Sequence, residues 1–224
     1  MPEEINSTHL VNIRELIEDN TEWYSAYLTS RYNILQSSKE TVEPHYTPTD
    51  ANDKTLVFES RFESGNLAMA IKMSDEEYNL MLQNDINTNG HTQWFYFRVS
   101  NTKEGQKVKF NILNLCKPDS LYNYGMKVLC KSTQKKLATG TQWHREGQEI
   151  SYYKNWYKRD GVLGMEKWYY TLTLTYTFEY DADEVYFAYS MPYTYTDLRK
   201  DLDELVLEQK SKKSQDQFLS KISP

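Results

Sequence analysis

The stretch YYTLTLTYTFEY, Tyr169 to Tyr180, alternates strictly: Tyr170, Leu172, Leu174, Tyr176 and Phe178 fall on one side, and Thr171, Thr173, Thr175 and Thr177 on the other. A period of two is the mark of an extended strand, because successive side chains leave opposite faces of the pleat. Apolar groups on one face and hydroxyls on the other predict a sheet with one side on a core and one side wet. Flat rings and β-branched threonines suit that half-buried surface.

The same period recurs upstream. In NTNGHTQWFYFRVSNTKEGQKVKFNILNL, Asn87 to Leu115, the residues Gln93, Phe95, Phe97 and Val99 share one face, and Trp94, Tyr96, Arg98 and Ser100 the other. NTKEG reads as a turn, after which Val108, Phe110 and Ile112 return as the second arm of a hairpin. Asn89-Gly90 reads as an earlier hairpin turn, following the alternating Tyr78, Leu80 and Leu82, because both residues tolerate positive φ. EVYFAYSMPY adds another strand. Seven or more short strands with no helix between them predict a mainly β chain, an antiparallel β-sandwich.

Outside this core the periodicity changes. Leu10, Ile13, Ile17, Tyr24, Tyr27 and Leu28 recur three or four apart, predicting one or two amphipathic helices, and Gln36 to Lys54 reads as a linker. Residues 1–54 are therefore a helical segment with its linker, 55–193 the sandwich, and 194–224 a C-terminal helix with a polar, frayed tail. Thr194 and Asp197 have the spacing of a helix cap, and Leu198, Leu202 and Leu205 follow at helical spacing.

Composition narrows the function classes. A chain of 224 residues with 39% hydrophobic and 14% aromatic content can fill one sizeable core. No run approaches the roughly 20 apolar residues of a membrane span, and the acidic amino terminus is unlike a signal peptide, so we expect a cytoplasmic protein with no membrane partner. Cys116 and Cys130 are too few for a disulfide framework and are expected to be unpaired. The net charge of -6 is uneven: residues 1–63 carry -7, whereas residues 127–159 carry +6 among aromatics. Such a stretch can stack and neutralise nucleic acid, but the acidic total speaks against a nucleic-acid partner. It either faces an acidic partner or is a solvated strand edge, where lysines discourage sheet-to-sheet association.

The motifs of catalysis are largely missing. There is no G-x-S-x-G, no GK[ST] phosphate loop and no C-x-x-C, and none of His9, His45, His91 and His144 has glutamate three residues on. His144 with Glu146 is the nearest approach to a metal site, two candidate ligands on one strand face with no third. No catalytic residue, metal or cofactor is assigned to this chain.

Several segments in order resemble one known family: FESGNLAMA, DINTNGHTQWFYFRVSNT, KFNILNLCKPDSLYNYGMKVL, WHREGQEISYYKN, YTLTLTYTF and VYFAYSMPYTYTDL. Together they resemble the amino-terminal domain of the cytosolic carboxypeptidases, metallopeptidases that trim glutamates from tubulin and other proteins. HTQWFYF, SLYN-GM and YYKN are the most diagnostic pieces; Val128 stands where the family usually has proline. The resemblance implies a β-sandwich that precedes a zinc-dependent peptidase domain. That domain's His-x-x-Glu pair and distant His lie beyond the PYTYTDL segment, and the chain ends at Pro224, so no zinc ligand or general base carries over. Zinc is expected only in the peptidase domain.

These readings define the candidate residues. Phe95 and Phe97 are expected in the core. Trp94, Tyr96, Ser120, Tyr122, Asn123, Tyr153 and Asn155 are candidates for an interface with a carboxypeptidase catalytic domain, since large rings and amides bury area and still satisfy hydrogen bonds. The bland alternative for SLYNYGM is an ordinary turn with Leu121 tucked inward. Lys127, Arg145, Lys154 and Lys158 are candidates to face an acidic substrate such as a glutamate-rich tubulin tail. Two functions follow: a non-catalytic accessory domain that packs on a peptidase domain and shapes substrate access, or a free-standing interaction module for a cytoskeletal or carbohydrate ligand.

Overall fold

The computed structural model of the chain describes residues 46–50, 52–88, 90–159 and 167–222. The helices expected between Ser7 and Leu35 lie outside the described residues. Ten strands run in the order β1 (Val57–Glu59), β2 (Leu67–Ser74), β3 (Glu77–Leu82), β4 (Tyr96–Ser100), β5 (Lys107–Leu115), β6 (Val128–Ser132), β7 (His144–Glu146), β8 (Gln148–Arg159), β9 (Lys167–Thr177) and β10 (Val185–Ala188). A short helix, α1 (Thr133–Thr139), follows β6, and a long one, α2 (Tyr195–Ile222), follows β10. The strands form two five-stranded sheets, ordered β1-β4-β10-β6-β7 and β2-β3-β5-β9-β8. The mainly β sandwich predicted from the alternation is the fold.

Its core is where the alternation puts it. Phe95, Phe97 and Val99 of the first sheet and Val108, Phe110 and Ile112 of the second are fully buried. Phe97 stacks on Phe187 at 5.5 Å between ring centroids, and Phe110 meets Phe187 edge-on at 5.5 Å from the opposite sheet.

The pairing differs from expectation. β4 lies in one sheet and β3 and β5 in the other, so neither predicted hairpin forms and Phe97 meets Phe110 across the sandwich. Alternation specifies which face a residue occupies but not which strand lies beside it. β3 and β5 are instead neighbours and run parallel, pairing Tyr78 with Phe110 and Leu80 with Ile112, which makes the second sheet mixed. The threonine face of β9 is only partly wet, with Thr173 and Thr177 half-exposed. Thr171 and Thr175 are buried, because β9 is flanked by β5 and β8, whose polar side chains lie over it: Asn155 Nδ2 donates to Thr171 Oγ1 at 2.9 Å, and Thr175 Oγ1 donates to Glu149 Oε2 at 2.8 Å.

Connections are held by local polar chemistry. Ser132 Oγ accepts from Lys135 N at 2.9 Å to cap α1, while Asp183 accepts from both Ser132 Oγ and Gln134 N. Gly147, with φ +114°, turns β7 directly into β8 and so passes the chain from one sheet to the other. The predicted cap at Thr194 is present: Thr194 N and Oγ1 donate to Asp197 Oδ2 at 2.8 and 2.7 Å, and Asp197 N donates back to Thr194 Oγ1. Helix α2 then continues through most of the segment expected to be frayed.

The core accounting gives a direct test. Phe97→Ala, at the centre of the packed rings, is expected to cost about 3–5 kcal/mol in denaturant unfolding. Trp156→Ala, at a site 83% exposed, is expected to change stability by less than about 0.5 kcal/mol.

Candidate functional site

The outward residues of β4 begin a continuous aromatic surface on the first sheet. Trp94 donates its indole N–H to the Ser64 carbonyl at 2.8 Å and stands edge-on to Tyr96. Tyr96 in turn contacts Phe62 at 4.8 Å, Trp143 at 5.8 Å and Tyr186 at 6.2 Å between centroids. Lys131 lies over Tyr186 at 4.7 Å and Trp143 at 5.3 Å, a cation held on ring faces. Burial among these rings lowers the pKa of its ammonium from the ordinary value. These rings are half-buried, so they present flat apolar faces while keeping polar edges wet. Phe62, Trp143 and Tyr186 were not singled out from sequence. Tyr186 carries the signal, as the outward ring of the alternating VYFA.

Beside Trp94 opens a cleft of about 510 Å³ lined by Asn66, Gln83, Ile86, Met191 and Tyr193 among others. Helix α2 starts close by, where Thr196 N donates to Glu63 Oε1 at 3.0 Å. Its Leu198, Leu202 and Leu205, together with Val206 and Leu207, are exposed. That helix therefore carries an apolar surface with no cover among the described residues.

The second candidate segment is only partly a surface. Leu121–Tyr124 forms a single 3-10 turn capped by Ser120 and closed by Gly125 at φ +92°. Leu121 is not tucked inward; it is 63% exposed, and Tyr122 is the residue that enters the core, 3% exposed and edge-on to Tyr189. Of the residues predicted for an interface, Ser120, Tyr122 and Asn155 are thus enclosed by this chain's own atoms. The physical reason for Asn155 is plain: its amide donates to the Leu113 carbonyl at 2.6 Å and to Thr171, bracing β8 over the sheet. Asn123 is exposed at its own position but accepts from Tyr152 N at 3.2 Å. Tyr153 is 48% exposed, with its hydroxyl 3.2 Å from Thr173 Oγ1. The exposed rings here are Tyr124, Tyr153 and Trp156.

The basic stretch divides into several local arrangements. Lys127, just before β6, and Arg145 on β7 are exposed neighbours, tied by a 2.6 Å hydrogen bond from Arg145 Nη1 to the Lys127 carbonyl. Lys154 and Lys158 flank the Trp168 ring at 4.3 and 5.4 Å. Lys135 is engaged by Glu179 at 2.5 Å, which raises its pKa. Among the described residues, Cys130, His144 and Glu146 converge closely enough for a metal ion, their donor atoms all within 4.8 Å of one another. Sequence alone placed His144 and Glu146 on one face. Cys130 was hidden because only the β6–β7 register brings it opposite His144.

Fold and surface define a β-sandwich domain whose distinctive exterior is a patch of half-buried rings beside a helix with several exposed apolar side chains. The chain belongs to the cytosolic carboxypeptidase N-terminal domain family, whose sequence profile matches residues 58–190. It is 51% identical over 147 residues to cytosolic carboxypeptidase 2 of Homo sapiens, covering 66% of this chain and 16% of that protein. With cytosolic carboxypeptidase 1 of Danio rerio it is 41% identical over 176 residues, covering 77% of this chain and 15% of that protein. The chain thus spans about one sixth of the length of these relatives. Among solved structures, a metallo-carboxypeptidase from Pseudomonas aeruginosa superposes with a TM-score of 0.45 at 19% identity, over 66% of this chain and 33% of that one.

The burial of Tyr122 sets up a test. Its hydroxyl has no hydrogen-bond partner among the described residues, a burden of about 1–3 kcal/mol for a buried polar group. Tyr122→Phe is expected to leave the thermal melt unchanged or raise it, whereas Tyr122→Ala lowers stability by about 3–5 kcal/mol.

Proposed function

We propose that this chain is the non-catalytic accessory domain of a cytosolic zinc carboxypeptidase, packing on a peptidase domain through the surface around Trp94 and the exposed side of α2. In this reading it acts in the cytoplasm and helps shape access for glutamate-rich chains such as tubulin tails. The observation that carries it is α2, which leaves the sandwich beside the Trp94 cleft with Leu198, Leu202 and Leu205 exposed. These residues are spaced i, i+4 and i+7, a stripe that a helix buries against a partner. The family profile supports the kind of partner.

The catalytic zinc belongs, on this reading, to the peptidase domain. The family's His-x-x-Glu ligand pair has no counterpart here, since the residues three places after the four histidines are Asn12, Pro48, Trp94 and Gly147. The residues present do not fit that centre, and no step of peptide hydrolysis is assigned to them.

Docking is tested with a separately expressed peptidase domain of a related cytosolic carboxypeptidase. Trp94→Ala and Leu202→Asp are each expected to weaken association by more than about 1 kcal/mol while the isolated chain melts close to wild type. Folded variants that associate as wild type does, or a wild-type chain that does not associate, return the chain to a free-standing interaction module.

The exposed cations give a separate prediction. Polyglutamate peptides are expected to bind weakly, to dissociate as ionic strength rises through about 0.15 M, where screening acts over about 8 Å, and to lose affinity on combined charge reversal of Lys154 and Lys158. Binding indifferent to salt and to those reversals assigns the lysines to a solvated strand edge.

A further inference from the structure

We propose that Cys130, His144 and Glu146 form a binding site for a divalent transition-metal ion of the Zn²⁺ class, built into the edge of the first sheet. The inference goes beyond the docking role and stands whether or not the chain packs on a peptidase domain.

The site follows from strand register. β6 and β7 are antiparallel, with Cys130 directly opposite His144 and Val128 opposite Glu146. Cys130 and His144 therefore share a face, and Glu146, two residues on from His144, joins them. That face is the inward one: Cys130 is 1% exposed and Val128 is buried with it. β6 is held on its other side by β10, so the donor positions rest on paired backbone rather than on a loop.

The donor separations match a metal polyhedron. With Zn–S near 2.3 Å and Zn–N or Zn–O near 2.1 Å at tetrahedral angles, ligand atoms stand about 3.4–3.7 Å apart. Cys130 Sγ is 3.4 Å from His144 Nε2 and 3.7 Å from Glu146 Oε2. His144 Nε2 and Glu146 Oε2, now 2.8 Å apart, need only a side-chain rotation to open by about 0.6 Å to the same edge length. A thiolate, an imidazole and a carboxylate are a borderline-soft set that suits zinc, rather than the all-oxygen set of calcium or magnesium.

The surroundings orient the ligands. His144 Nδ1 lies 3.1 Å from the Gln142 carbonyl; a carbonyl only accepts, so Nδ1 carries the proton and the Nε2 position is aimed at Cys130 and Glu146. A backbone carbonyl on the far ring nitrogen is the usual partner of a metal-bound histidine. The His144 and Glu146 side chains are 23% and 33% exposed, which gives an ion its entry path from the sheet edge and leaves the fourth position to solvent. Binding displaces the thiol proton of Cys130 and any proton shared between Nε2 and Oε2. The metal takes their place, and no oxidation or reduction is involved.

The test uses the full chain with a non-thiol reductant. Titration with Co²⁺ is expected to give one equivalent of tetrahedral cobalt with a thiolate-to-metal charge-transfer band, bleached by Zn²⁺, and Zn²⁺ is expected to raise the melting temperature. Cys130→Ser is expected to abolish the band. His144→Gln, at a partly exposed site that does not threaten folding, is expected to weaken Zn²⁺ binding at least tenfold and remove the thermal shift. Glu146→Gln weakens binding but keeps the band, and His91→Gln changes nothing. Absence of the band in the wild type, or Zn²⁺ binding that folded Cys130→Ser and His144→Gln variants retain, overturns the proposal and leaves Cys130 as a core thiol beside a histidine–glutamate pair.

Discussion

Phe187 stacks on Phe97 within the first sheet and is met edge-on by Phe110 and Tyr176 from the second. This packing of four rings fixes the sense of every strand that contributes to it, because turning one residue inward turns its neighbours outward. Once Phe97 is inside, Trp94, Tyr96 and Arg98 are outside. Once Phe187 is inside, Tyr186 is outside, and its cross-strand neighbours Arg98 and Lys131 share that face. The half-buried aromatic surface is thus the reverse side of the core. Arg98, on the same face, is drawn to Glu184 at 2.7 Å rather than left in open solvent.

The same geometry links the core to the sheet edge. Phe97, Phe187, Cys130 and His144 are successive cross-strand partners in one row of the first sheet. At its centre the row is aromatic and dry, and on β6 it passes to the equally buried thiol of Cys130. It ends on β7, where no further strand covers it among the described residues, with the partly exposed imidazole of His144.

Much of this was legible in the sequence and some was not, for reasons that belong to particular residues. Tyr170 to Phe178 and Phe95 to Val99 announced their faces because a period of two is a property of one strand alone. The partners of β4 were not legible, since Asn89-Gly90 and NTKEG are good turns whether the chain folds back beside itself or crosses to the other sheet. Thr171 and Thr175 looked wet because their cover comes from Asn155 and Glu149, residues distant in sequence. In SLYNYGM both Leu121 and Tyr122 are credible core residues, and the single 3-10 turn decided between them. The outward rings Trp94 and Tyr96 were read from alternation, whereas Cys130 needed a register that no local pattern encodes.

The position of β10 has a consequence for how the chain is made. It is the last strand in sequence yet sits between β4 and β6 in the first sheet. Until Val185 to Ala188 has left the ribosome, β4 and β6 have no strand between them, and the ring of Phe187 is absent from the core. The second sheet already has all its strands by Thr177, so it can assemble while the first waits. Synthesis therefore passes through a stage with one sheet's apolar face uncovered and two strand edges open, the condition in which nascent chains recruit chaperones.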